Sequence, residues 1–191
     1  MGQNKALLLL EGRTLVERAL GKLEAVCSSI AIAGGSEELA GFGRLVADGV
    51  AECGPLGGVV AALESSEFDW SIFLPVDAPL VSVELVRGVA ERCVVSDAVA
   101  VLVRVNGRVE PLCGAYSRRA LPGLREALSA GRLKVTAGLQ GAGVVEYFDL
   151  ADGDQFANLN TPEEFAEAER RLKGGDYGAS DTTGASDGRI G

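Results

Sequence analysis

Apolar runs of strand length alternate with amphipathic runs of helical spacing through most of this chain. Residues 14–26 put Leu15, Ala19, Leu20 and Leu23 on one stripe and leave Glu17 and Lys22 off it, which predicts a helix. Residues 29–33 predict a buried strand that ends in Gly34-Gly35, and Ser36 can cap a short helix reaching residue 41. Residues 44–48 predict a short strand, and residues 56–63 a helix entered through the turn Gly54-Pro55. Residues 70–76 form a strongly apolar strand that Asp77-Ala78-Pro79 breaks. Ser82 caps a helix to residue 93 with Leu85 and Val89 on one face. Strands at 98–103 and 109–116 flank a turn at Asn106-Gly107. Helices follow at 117–129 and 132–139, then a strand at 144–148 and a helix at 161–172 with Pro162 in its first turn.

Strands and helices alternating through short connections predict an α/β fold: a mostly parallel sheet covered by helices on both faces. Ligands in such sheets sit beyond the carboxyl ends of strands, which directs attention to the loops after Ala33, Asp48 and Val76. The pattern stops near residue 172. Residues 173–191 are dominated by Gly, Ser, Asp and Thr, with Tyr177 and Ile190 as the large apolar residues, and predict a disordered tail after one domain at 1–172.

Composition narrows the chemistry. The net charge of -9 argues against nucleic acid as a partner, because a phosphate backbone needs a basic face. No apolar run approaches the ~18 residues that span a bilayer, and Ala6-Leu7-Leu8-Leu9-Leu10 is too short for a secretory signal, so neither membrane nor export is expected and the cytoplasm is the expected location. Cys27, Cys53, Cys93 and Cys113 are irregularly spaced, unlike a zinc site, and read as thiols of a reducing compartment. The chain contains no histidine, which removes Ser-His-Asp and Cys-His nucleophile systems and any histidine general base. Chemistry is left to carboxylates, lysine, backbone amides and an oxygen-liganded metal.

Five segments carry candidate chemistry. Asp77 is delivered by an apolar strand just before a proline, a placement that suits a hard cation such as Mg²⁺ or, equally, a turn cap. Asp48 ends another strand and reads as a second site carboxylate or a turn residue. Gly54-Pro55-Leu56-Gly57-Gly58 opens a helix whose free N–H groups can receive an anion, or is a plain loop-to-helix entry. Lys5, near Gly2, can reach a phosphate or be a solvated charge. Thr161, Pro162 and Glu164 make a good helix start, but this does not account for Asn158 and Asn160, which alternate as on an extended segment.

Taken in order, these segments resemble the molybdenum-cofactor guanylyltransferases. The matching residues are Met1-Gly2-x-x-Lys5-Ala-Leu-Leu, Gly12-x-x-Leu15, Gly54-Pro55-Leu56-x-Gly58, Leu74-Pro75-x-Asp77-x-Pro79, Glu110-Pro111-Leu112-x-x-x-Tyr116 and Asn158-x-Asn160-Thr161-Pro162-Glu163-Glu164. The resemblance implies a three-layer Rossmann-like nucleotidyltransferase that moves GMP from GTP to the terminal phosphate of molybdenum-bearing molybdopterin and releases pyrophosphate. It implies Lys5 at the GTP phosphates, Asp48 in the nucleotide site, Asp77 on Mg²⁺, Pro55 and Leu56 beside the nucleotide, and Asn158 and Asn160 on the pterin side. Molybdoenzymes or their chaperones are expected as further partners. The family begins with a central strand and a Leu-Ala-Gly-Gly-x-Ser-x-Arg loop before the residue matching Met1, so that strand is expected to be missing here and its neighbours' ladder groups left open unless they close on each other. Where members carry a nucleotide-contacting asparagine this chain has Ala33-Gly34-Gly35, and a backbone contact at Gly34 is expected instead. A related CTP-using or sugar nucleotidyltransferase, or a degenerate binding protein, are the alternatives.

Overall fold

The computed structural model describes residues 4–34, 36–47, 53–151, 153–156, 159 and 161–174. The expected residues Asp48, Asn158 and Asn160 and the tail from residue 175 lie outside these. A single turn of 3₁₀ helix at Lys5–Leu7 leads to a small antiparallel hairpin of β1 (Leu9–Leu10) and β2 (Arg13–Thr14). Thr14 starts α1 (Leu15–Glu24) with a reciprocal cap: the Thr14 hydroxyl accepts from the Glu17 N–H, and the Glu17 carboxylate accepts from the Thr14 N–H at 2.7 Å. Next come β3 (Ile32–Ala33), a 3₁₀ turn at Glu37–Leu39, β4 (Leu45–Val46), α2 (Gly54–Ser65), β5 (Trp70–Phe73) and α3 (Val83–Val95). The carboxyl half holds β6 (Ala100–Val105), β7 (Arg108–Ser117), α4 (Leu121–Ser129), α5 (Val135–Leu139), β8 (Val145–Leu150) and α6 (Pro162–Lys173).

The main sheet has the order β5-β7-β6-β8. Strands β5, β6 and β8 share one direction, and β7 alone is reversed because a tight hairpin joins it to β6. That hairpin turns at Asn106 (φ 47°) and Gly107 (φ 83°), the left-handed pair a two-residue loop requires. Helices cover both faces. Leu85, Val89 and Cys93 of α3 and Leu23 of α1 pack on Val101, Val103 and Ala115. On the opposite face Leu56 and Leu63 of α2, Leu124 of α4 and Leu139 of α5 pack on Ala100, Leu102 and Tyr116. This is the three-layer arrangement the alternating pattern predicts.

Between β6 and β7 the register jumps: Leu102 faces Gly114, and Val103 faces Glu110. The excluded residues are the Pro111-Leu112-Cys113 segment, and a bulge is where a strand tolerates proline. The Tyr116 hydroxyl, buried with its ring, donates to the Pro111 carbonyl at 2.5 Å and holds the bulge. Gly114, at φ 152°, passes so close to β6 that a Cβ would lie 2.4 Å from the Val101 carbonyl oxygen.

Strands β3 and β4 form a separate parallel pair. Among the described residues β3 is not paired to β5, and the two sheets stand apart.

Candidate active site

The opening between β3 and β5 is a cleft of about 1370 Å³, above the ~300–1,000 Å³ usual for small-ligand pockets. Lys5, Gly34, Gly54, Pro55 and Asp77 all line it, so the fold gathers residues from four separate stretches of sequence. Lys5 Nζ lies 3.6 Å from Asp77 Oδ2, with the two side chains 33% and 45% exposed. An ion pair this exposed contributes ~0–1 kcal/mol to stability, so it holds the cleft mouth without resisting displacement by an incoming charge.

Each charge is held by its surroundings. The Asn4 side-chain oxygen accepts from the Ala6 N–H at 3.2 Å, and its amide donates to Ser36 Oγ and Glu38 Oε2, each at 3.1 Å. Buried Ala6 anchors the same turn. Asn4 thereby ties the segment carrying Lys5 to the turn after β3, and Ser36 serves this tie rather than capping the Glu37–Leu39 turn. Asp77 is fixed from behind: Ala78, Leu80 and Val81 are buried, and the Ala78 N–H donates to the Pro75 carbonyl. Half-buried Lys22 donates to the Pro79 carbonyl at 2.5 Å, and Gln155 Oε1 accepts from the Ser82 N–H at 2.9 Å. Burial, with Arg18 nearby, lowers the Lys22 ammonium from 10.5 to about 8.

Gly34, in the left-handed region at φ 67°, lines the cleft at the end of β3, where its N–H still donates to the Val46 carbonyl. Pro55 occupies the first turn of α2 and faces the cleft, and Gly54 enters that helix at φ 56°. The positive end of the helix dipole thus lies at the cleft, where it can favour an anion. Leu56 differs from its neighbours. It is fully buried among Val59, Leu63 and Tyr116 and does not line the cleft, so the structure does not bring it to the nucleotide side.

Three residues were not singled out as site residues in the sequence: Asn4 and Lys22, which brace the segments carrying Lys5 and Asp77, and Arg44, which lines the cleft. Asn4 was legible as a cap before Lys5-Ala6-Leu7; Lys22 was not, because its partner Pro79 is far along the chain. Among Arg104, Arg108 and Arg132, none lines the cleft, and each pairs with a carboxylate: Asp149, Glu110 and Glu126. No disulfide joins the four cysteines. Burial pushes Cys93 and Cys113 up to about 12, so neither is a nucleophile at neutral pH.

For a metal, the described residues hold no cluster of three or more acidic or thiol ligands. Asp77 offers a half-exposed carboxylate at the cleft mouth, and Mg²⁺ commonly takes one or two carboxylates and completes its shell with phosphate and water. The donor chemistry fits.

An α/β sheet with a helix end, a lysine and a carboxylate at one cleft suits a nucleotidyltransferase, the class to which the family match assigns the chain. The chain belongs to the MobA-like NTP transferase domain family, which matches residues 1–142. It is 30% identical over 167 residues to a molybdenum cofactor guanylyltransferase of Photobacterium profundum, covering 85% of each chain. Its fold is similar to the crystal structure of molybdopterin-guanine dinucleotide biosynthesis protein A from Archaeoglobus fulgidus, with TM-score 0.74, 23% identity and coverage of 91% and 92% of the two chains. It is also similar in fold to 2-C-methyl-D-erythritol 4-phosphate cytidylyltransferase from Thermus thermophilus, with TM-score 0.67, 21% identity and coverage of 88% and 94%.

Proposed function

We infer that this enzyme transfers GMP from GTP to molybdenum-bearing molybdopterin, forming the guanine dinucleotide form of the cofactor and pyrophosphate. The observation that carries the site assignment is the approach of Lys5 to Asp77, 72 positions apart in the chain, at 3.6 Å on the rim of the cleft. An oxygen of the acceptor's terminal phosphate bonds to the α-phosphorus of GTP. The bond from that phosphorus to the bridging oxygen breaks, and pyrophosphate leaves with the electron pair. The attacking oxygen is already anionic at neutral pH, so the reaction needs positioning and charge neutralisation rather than a strong base. This suits a chain without histidine.

Lys5 supplies a mobile cation to the phosphates, and the positive end of the α2 dipole at Gly54 and Pro55 adds to it. Gly34 lets the chain approach the nucleotide closely without a side chain between. Mg²⁺ held by Asp77 together with the nucleotide would neutralise charge on the phosphates and the leaving group. Asp48 in the nucleotide site and Asn158 and Asn160 on the pterin side complete the proposed assignment. The expected setting is the cytoplasm, in keeping with four cysteines that form no disulfide, and the expected onward partners are molybdoenzymes or their chaperones. No helix among the described residues is long and apolar enough to cross a membrane.

The test is product formation from molybdenum-bearing molybdopterin with Mg²⁺ and either GTP or CTP. GTP should support pyrophosphate release and dinucleotide formation at least ~10²-fold faster than CTP, because donor and acceptor groups on the base are read by hydrogen bonds. Equal or faster turnover with CTP would replace the reading with cytidylyl transfer. Turnover with neither would remove it.

A further inference from the structure

The residues that follow Asp77 are held by side chains from distant parts of the chain. Leu80 is buried in a small apolar cluster with Leu10, Leu15, Leu159 and Ala168. The Ser82 N–H stands at the N-cap of α3, outside the helical ladder, and donates to Gln155 Oε1 at 2.9 Å. The Ser82 hydroxyl is engaged elsewhere, accepting from the Leu85 N–H at 3.1 Å. The 3₁₀ turn that carries Gln155, Asp154–Phe156, is fixed in its turn to α6. Arg171 pairs with the Asp154 carboxylate at 3.3 Å and donates to the Asp154 carbonyl at 3.4 Å.

These contacts join stretches that each carry a proposed site residue. Leu10 comes shortly after Lys5, Leu80 shortly after Asp77, and Leu159 stands between Asn158 and Asn160. One apolar cluster therefore gathers the cation side, the metal side and the acceptor side. Apolar contact is non-directional, so the cluster holds these stretches together without fixing their register. A hydrogen bond is narrow in distance and angle, and the Gln155–Ser82 bond supplies that register between the acceptor side and the Asp77 loop.

We propose, resting on the guanylyl-transfer reading, that Gln155 is a positioning residue. Through the Ser82 N–H it aligns the stretch leading to Asn158 and Asn160 with the loop that carries Asp77, so that the attacking phosphate meets the nucleotide in line. Gln155 acts through Ser82 and is not assigned a contact with either substrate. In-line displacement is sensitive to such alignment, because a misplacement of about 1 Å can cost ~10²-fold in rate.

Two substitutions separate positioning from a merely structural role. Gln155→Met keeps the side chain's length but has no oxygen to receive the Ser82 N–H. Gln155→Glu keeps an acceptor oxygen and places its charge favourably at the N-terminus of α3. Pyrophosphate release is followed with GTP, Mg²⁺ and varied molybdenum-bearing molybdopterin. Gln155→Met should lose at least ~10-fold in kcat/KM for the acceptor, while the Kd for GTP with Mg²⁺, from calorimetry, stays within about twofold of wild type. Gln155→Glu should return kcat/KM for the acceptor to within about threefold of wild type. In the unaltered chain, saturating molybdenum-bearing molybdopterin should slow hydrogen exchange of the Ser82 amide more than that of the Leu85 amide, which is bonded to Ser82 and not to Gln155. That measurement decides alone if Gln155→Met does not fold. An active wild-type chain with Gln155→Met unimpaired, with acceptor and GTP parameters falling together, or with Ser82 exchange indifferent to the acceptor would overturn the role of Gln155 and leave guanylyl transfer standing. A wild-type chain that turns over no acceptor would remove the guanylyl-transfer reading itself, and the role of Gln155 with it.

Discussion

Lys5 and Lys22 are both lysines near the Asp77 loop, and their surroundings give them different work. Lys5 is a third exposed, sits at the cleft mouth and contributes little to folding. Lys5→Gln should lower turnover on the order of 10²-fold, as loss of a positioned charge-stabilising donor does elsewhere, while moving the unfolding midpoint in denaturant by no more than ~0.5 kcal/mol equivalent. A turnover loss within about threefold, on the same scale, would take Lys5 out of the reaction. Lys22 is half-buried, and its ammonium is lowered to about 8 from 10.5, chiefly by desolvation. The unfolded chain keeps that proton up to about pH 10.5, whereas the folded chain releases it above about 8. Between those values the unfolded state binds more protons, so stability contributed by Lys22 rises with pH, and its cost is fully present below pH 8. The unfolding free energy of the wild-type chain relative to Lys22→Met should therefore increase by roughly 1–2 kcal/mol from pH 7.5 to 10, discounted for partial exposure. Parallel pH profiles for the two proteins would show that the Lys22 ammonium is not desolvated by folding.

At the scale of elements, the bulged β7 explains a motif that sequence alone only matched. Glu110-Pro111-Leu112 and Tyr116 belong together because the register jump expels Pro111 and the Tyr116 hydroxyl catches its carbonyl. Tyr116→Phe should cost ~1–3 kcal/mol in unfolding free energy, the penalty for removing one partner of a buried hydrogen bond. Gly114→Ala should cost at least as much, roughly 2 kcal/mol or more, because its Cβ would meet the Val101 carbonyl at 2.4 Å in a conformation L-residues avoid. A Gly114→Ala protein as stable as wild type would mean that β6 and β7 do not approach this closely. The long amphipathic helices were legible because burial of one stripe dictates their spacing, as Leu15, Leu20 and Leu23 show in α1. Caps were legible too: Thr14 with Glu17, Ser82, and Thr161 with Glu164 all form as local chemistry dictates. Strand extents were less so. The apolar run at 70–76 yields only Trp70–Phe73, because Pro75 and the turn ahead of Asp77 divert the chain before its apolar character ends.

At the scale of the whole molecule, the site exists only because distant segments converge. Asp77 was legible as a carboxylate after a strand, and Lys5 as a cation near a glycine, but their contact depends on Asn4 tying one to β3 and on buried Leu80 and Val81 fixing the other. Leu56 shows the converse. Its motif position pointed to the nucleotide, while the packing of the largely apolar α2 against the sheet puts its side chain in the core. The net charge of -9 also takes on meaning here: anionic substrates must be received locally, and Lys5, Arg44 and the N-terminus of α2 are the groups at the cleft that can do so. Raising the salt concentration should weaken GTP binding, measured by calorimetry, since much of that attraction is exposed to solvent. Binding that is insensitive to salt would place the phosphates away from this rim.

The most direct test is the rate of pyrophosphate release from GTP with molybdenum-bearing molybdopterin as acceptor, measured against Mg²⁺ concentration for the wild-type chain and for Asp77→Ala. The wild-type rate should rise with Mg²⁺ to saturation. The variant, folded by circular dichroism, should lose about 10³-fold or more at every Mg²⁺ concentration, as removal of a metal-holding carboxylate implies. An Asp77→Ala rate within about tenfold of wild type, with the same Mg²⁺ dependence, would contradict the assignment of the Lys5–Asp77 cleft as the place where GMP is transferred.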